Sequence, residues 1–96
     1  MNKVVINCSY GSFRLSTEAA KILVEQGVED IEVDEDGWVL GGWDLCRHDP
    51  RLVAVVEELG TERASSENAR LVVKEIPGNR YRITEYDGLE TLEYPE

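Results

Sequence analysis

The segment from Asp49-Pro50 to Gly60 constrains this chain more than any other, because it specifies both ends and one face of a helix. Asp49 is of the N-cap type, whose carboxylate accepts a bond from an orphan N–H of the first turn. Pro50 falls at N1, where its missing N–H costs nothing and its fixed φ suits the helix. Leu52, Val53, Val55, Val56 and Leu59 recur at i, i+3, i+4 and i+7, and Gly60 is the left-handed residue expected after the last turn. The spacing predicts a helix over residues 50–59 with an apolar face to cover. A chain of 96 residues supplies one domain with a core of modest size.

The partners of that face lie on either side. Residues 3–9, with Val4, Val5, Ile6 and Cys8, read as a strand covered on at least one face. A turn at 10–15 follows, with Gly11 as its special-φ residue. Ser16 caps a second helix over 17–26 that ends at Gly27, with Glu18 in its first turn and a buried stripe of Ala19, Ala20, Leu23 and Val24. Val28, Ile31 and Val33 mark a strand, Asp34-Glu35-Asp36-Gly37 a hairpin turn, and Trp38-Val39-Leu40 its return, broken by Gly41-Gly42. Beyond Gly60, residues 61–68 read as polar surface loop. A strand over 69–76 is expected to pair through Pro77-Gly78-Asn79 with an antiparallel strand over 80–86. Asp87-Gly88 then turns into a last strand, in which Glu90, Leu92 and Tyr94 alternate with Leu89, Thr91 and Glu93. The expected class is α+β, a mostly antiparallel sheet of about four to six strands with two helices packed on one face.

Charge restricts the partners. Twenty acids against ten bases give a net charge of −10. Phosphate binding needs a basic footprint, so nucleic acid is not expected as a direct ligand. A basic protein partner, a cation or simple solubility all suit the balance. The apolar share of 42% suits a globular fold rather than disorder. No apolar run reaches membrane-span length, and the opening residues are too short for a signal peptide, so a cytoplasmic protein is expected. Cys8 and Cys46 form no disulfide framework, and two partly buried thiols are expected.

Three stretches together resemble a family of short proteins found in phage and prophage genomes. They are Val5-Ile6-Asn7 through Tyr10-Gly11-Ser12-Phe13-Arg14-Leu15-Ser16; Arg47-His48-Asp49-Pro50 with Val55-Val56-Glu57-Glu58-Leu59-Gly60; and Leu71 to Pro77 running into Ile83-Thr84-Glu85-Tyr86-Asp87-Gly88-Leu89-Glu90. The resemblance implies a phage-type protein in the cytoplasm of an infected or lysogenic host, and it implies no particular reaction. The family usually has a second glycine where Ser12 stands. It also often continues, past the final acidic segment, into basic and aromatic residues that do not follow Tyr94-Pro95-Glu96 here.

The only histidine sits at the helix entrance. In its structural reading, Asp49 caps, Arg47 pairs with a surface carboxylate and His48 bonds to backbone. In its functional reading, the helix N–H groups, Arg47 and His48 converge on a small anion such as a nucleotide phosphate, with Tyr10, Arg14 and Tyr86 lining the place if their loops adjoin. Asp44, Cys46 and His48 share a face if extended. A zinc site built on them would need Cys8 as well, and a Cys46–His48 nucleophile pair would need an orienting group and oxyanion donors. No metal or cofactor is expected.

Six acids fall within residues 29–36. A calcium loop is excluded there, because its twelfth position would be Trp43 and not a glutamate. A solvated hairpin or an acidic docking face remains, and Glu85, Asp87, Glu90, Glu93 and Glu96 form a second acidic cluster. Asp34, Glu35 and Asp36 with Trp38 and Trp43 make the candidate protein-binding surface, provided the tryptophans are exposed and not core. The residues thus favour a small non-enzymatic inhibitor or adaptor acting on a host or phage factor. A small-anion binder is the alternative and a Cys46/His48 hydrolase the third. The final strand has an exposed edge that leaves self-association open.

Overall fold

Period-two alternation along the first strand decides the layers, because its two faces are both apolar and need different covers. The computed structural model describes residues 2–42 and 45–95. In order, the elements are β1 (Asn2–Asn7), α1 (Thr17–Glu25), β2 (Ile31–Val33), β3 (Val39–Gly41), α2 (Pro50–Ala64), β4 (Leu71–Ile76), β5 (Arg82–Tyr86) and β6 (Leu89–Glu93). The fold is α+β, and its six strands form three antiparallel pairs, β1–β4, β2–β3 and β5–β6. β1 and β4 run in the register Asn2↔Ile76 to Asn7↔Leu71. Val5, Leu71 and Val73 face Leu52, Val53, Val55 and Val56 of α2, and α1 adds Ala19, Ala20 and Leu23 to the same cluster. Val4, Ile6 and Ile76 face the other way, against Val72, Tyr81, Ile83 and Leu92. The β1–β4 ladder therefore lies between a helical layer and the β5–β6 hairpin.

Local chemistry explains the boundaries. Ser16 Oγ accepts from the Ala19 N–H at 3.1 Å and opens α1. Asp49 accepts from the Arg51 N–H at 2.8 Å and opens α2. Gly60, at φ 82° and ψ 165°, stops the regular helix where expected, but one further turn follows and ends at Ala64. Between β2 and β3, the Asp34 carbonyl accepts from the Gly37 N–H at 3.1 Å and the Trp38 carbonyl from the Asp34 N–H at 3.0 Å. This three-residue loop places its third residue, Gly37, at φ 87°. The β5–β6 turn is a two-residue loop, Asp87 at φ 52° and Gly88 at φ 92°, between the paired Tyr86 and Leu89.

Several expectations are corrected. β4 does not return into β5: it pairs with β1, and β5 pairs with β6. The apolar alternation of β4 fits either partner, and only β1 matches both of its faces. The left-handed residue of the 10–15 turn is Ser12, at φ 71°, and not Gly11. Gly11 serves a different need, since a Cβ there would lie 1.7 Å from the Asn68 carbonyl oxygen. Val24 is exposed and leaves the α1 stripe. Residues 61–64 are helical rather than loop. Both thiols are free, Cys8 half-buried but Cys46 exposed. Among the described residues no helix is long and apolar enough to cross a membrane.

Candidate functional site

Four residues, 46 to 49, carry the chain from the interior to α2, and their side chains part company there. The Asp49 N–H donates to the Cys46 carbonyl at 3.1 Å, and the Arg47 carbonyl accepts from the Val5 N–H at 2.8 Å, so the turn is fastened to the free edge of β1. Arg47 then points inward. Its guanidinium makes a two-pronged contact with the Glu90 carboxylate, Nη2 to Oε2 at 2.8 Å and Nη1 to Oε1. Its Cζ lies 3.7 Å from the centre of the Phe13 ring, a cation–π distance. The two charged side chains are only 14% and 8% exposed. Glu90 Oε1 also accepts from the Asn7 N–H at 2.8 Å. Asn7, fully buried, donates from Nδ2 to the carbonyls of Ser9 and Gly88 and accepts at Oδ1 from the Arg70 N–H. Every charge in this knot has its partners, which is what a low-dielectric interior requires.

His48 turns outward. Its Nδ1 is 2.6 Å from Tyr81 Oη, with the two rings edge-on at 84°. Cys46 Sγ lies 3.2 Å from Nε2 and 3.4 Å from Nδ1. Burial, together with the neighbouring Cys46, pushes the Tyr81 hydroxyl above its ordinary value, against a smaller opposing pull from Arg47. A recess of about 130 Å³ between Lys3, His48, Asn79 and Tyr81 adjoins the group. The structural reading of this segment is thereby revised: the acid that meets Arg47 is buried rather than on the surface, and His48 bonds to a phenol rather than to backbone.

The other candidate ligand residues lie elsewhere. The loop after β1 and the β5–β6 turn do adjoin, for a Cβ on Gly88 would lie 2.4 Å from the Tyr10 carbonyl oxygen and 2.5 Å from the Ser12 nitrogen. Tyr10 and Tyr86 are 62% and 77% exposed. Tyr10 borders an open recess of about 750 Å³ with Cys8, Glu62, Glu67 and Arg70. Arg14 borders another, of about 390 Å³, with Thr17, Trp38 and Asn68. Tyr10, Arg14 and His48 thus line three separate recesses, while the Arg47 guanidinium is engaged inside.

The β2–β3 hairpin gathers most of the candidate protein-binding residues. Trp38 and Leu40, two apart, project from one face and are 68% and 49% exposed. Leu40 lies opposite the exposed Glu32 in the ladder. Asp34 Oδ1 accepts from the N–H groups of Asp36 and Trp38 at 2.9 Å each, so one acid builds the turn that Glu35 and Asp36 occupy. Thr17 Oγ1 donates to the Gly37 carbonyl at 2.6 Å and ties the tip to the start of α1. Trp43 and Asp44 lie outside the described residues, as does Glu96. The second acidic cluster is dispersed: Glu90 is interior, Glu93 pairs with Arg82, and Glu85 accepts from the Gly88 N–H. Among the described residues no three His, Cys, Asp or Glu side chains are grouped to hold a metal.

Tyr81, Asn7 and the inward role of Glu90 were not singled out from the sequence. A signal for Glu90 was present, since it alternates onto the same face as Leu92, which packs in the second cluster. Searches of family models, curated proteins and solved structures found no match to this chain.

Proposed function

We propose that this chain is a small acidic binding protein of the phage type, an inhibitor or adaptor that docks a basic protein partner in the cytoplasm through the β2–β3 hairpin. One observation carries the reading: Trp38 and Leu40 stand exposed side by side on a tip whose turn and facing strand are acidic. Aromatic anchors contribute most to interfaces when the contacts around them exclude water. Complementary charge on the partner would speed encounter and fix orientation. The bond from Thr17 to the tip holds the surface in place before contact, which limits the ordering cost of binding. The small-anion reading has less support, because Arg47 directs its guanidinium to Glu90 and the remaining candidates line different recesses.

The test is native isolation from producing cells, followed by mass spectrometry of what accompanies the protein. A basic protein should accompany the wild type. It should be released by raised salt and lost with Trp38→Ser/Leu40→Ser, each anchor contributing on the order of 2 kcal/mol. Capture that survives high salt, the double variant and neutralisation of Asp34, Glu35 and Asp36 would sink the proposal. A co-purifying nucleotide would favour the anion reading instead.

A further inference from the structure

Arg14, expected beside an anion, and Trp38, expected on a docking surface, border one and the same recess of about 390 Å³. Thr17, Ser66, Glu67 and Asn68 also line it. Both of its sides are fastened. The Arg14 carbonyl accepts from the Ser66 N–H at 3.0 Å, and Leu15 bridges to Ser65. At the tip, Thr17 Oγ1 donates to the Gly37 carbonyl and Asp34 Oδ1 accepts from the Trp38 N–H. Arg14 is exposed, and among the described residues no carboxylate, Glu67 included, lies within ion-pair distance of its guanidinium. We propose, resting on the docking role of the hairpin, that Arg14 sets its specificity by requiring an Asp or Glu side chain on the partner beside the seat of Trp38.

A surface of uniform negative charge attracts any cationic protein, and a net charge of −10 makes that attraction general. Selectivity needs a place where the wrong partner is penalised as well as one where the right partner is held. A guanidinium held next to an acidic tip is such a place. A lysine or arginine brought against it leaves like charges facing each other across the contact. A carboxylate is met instead by the planar fork of an arginine. Ser66 and Asn68 add a hydroxyl and an amide as further donors on the same recess. A free nucleotide brings a multiply charged phosphate close to Glu67 and the acids of the tip, so a single carboxylate suits the recess better. The partner is thus a basic protein that presents one acid at this point.

The first measurement needs no partner. Propionate, the side-chain acid of glutamate, and propionamide, its neutral counterpart, are titrated into isotope-labelled protein at constant ionic strength and followed by NMR. Propionate should move the Arg14 Nε–H and Trp38 indole N–H signals along saturating curves. Propionamide should not, and Arg14→Gln should abolish the Trp38 response. Equal responses to the two probes, a linear response, or one that persists in Arg14→Gln would overturn the proposal. So would AMP binding about tenfold tighter than propionate, which would give the recess to a free nucleotide. The second measurement uses the protein captured by the wild type. Arg14→Glu should weaken that capture about fivefold or more, and Arg14→Lys less, while binding of oligolysine to the Arg14→Glu protein rises. Full capture by Arg14→Glu, with capture lost in Trp38→Ser/Leu40→Ser, would overturn the role of Arg14 and leave the docking role of the hairpin standing. Capture indifferent to both replacements would remove the docking role itself, and the role of Arg14 with it.

Discussion

Ser12 holds a φ of 71°, a conformation in which a side chain crowds its own backbone, and no glycine relieves it. Left-handed backbone costs a non-glycine residue roughly 1–2 kcal/mol, part of which returns as lower entropy of the unfolded chain. Ser12→Gly should therefore raise stability by up to about 1 kcal/mol in urea titrations, whereas a β-branched residue there should lower it. The sequence drew attention to this turn but to the wrong residue. A Gly-Ser pair reads as freedom at the glycine, while Gly11 is needed for its missing Cβ against Asn68. The helix cap was fully legible, because capping is a local matter. The Arg51 guanidinium holds the Asp49 carboxyl below its ordinary range against the opposing effect of burial, with further help from the backbone N–H groups of Arg51 and Leu52. An unfolded chain protonates Asp49 near its ordinary value of about 4. The stabilisation is thus complete above that pH and is lost as pH falls through the depressed folded value. Asp49→Ala should cost about 1 kcal/mol at neutral pH, whereas Asp49→Asn should keep the cap and lose the acid-limb dependence. Urea midpoints at neutral and acid pH separate the two.

Among elements, both helix starts and the stop at Gly60 were readable, since caps and periodicity lie within a few positions of each other, but the extra turn of α2 to Ala64 was not. Strand pairing was not. β4 and β5 are joined by a short turn-rich connection, and local turn chemistry gave no sign that β1 would claim β4. The interior ion pair was hidden for the same reason, because Arg47 and Glu90 are 43 positions apart. That pair joins the entrance of α2 to β6 and, through Asn7, to β1. Removing one member leaves a buried charge unmatched. Glu90→Gln or Arg47→Met should cost about 3–5 kcal/mol by chemical denaturation. The double replacement Arg47→Met/Glu90→Leu should recover much of that loss, a strongly non-additive cycle. Additive losses would mean that the two side chains act independently. The candidate docking hairpin was visible as an acidic turn with a tryptophan, yet only the fold shows that Leu40 is exposed with it.

For the whole molecule, the excess of negative charge sets the conditions of stability. Twenty acids and ten bases leave net self-repulsion. Among the described residues, the surface ion pairs Lys3–Glu57, Arg63–Glu18 and Arg82–Glu93 and the half-buried Arg51–Asp49 pair offset little of it. Sodium chloride should therefore raise the thermal midpoint, by roughly 5 °C, or on the order of 1 kcal/mol, as the screening length falls from about 10 Å toward 3 Å. A midpoint that falls with salt would show that the ion pairs outweigh the repulsion. The position of β1 between two layers has a further outcome, in time rather than in space. Its last residue, Asn7, meets Glu90 across 83 positions of sequence, and its ladder partner is β4. On a translating ribosome β1 must stay unpaired until β4, and then Glu90, have been made. Nascent chains halted before Glu90 has left the exit tunnel should remain open to protease, and protection should arrive late and all at once.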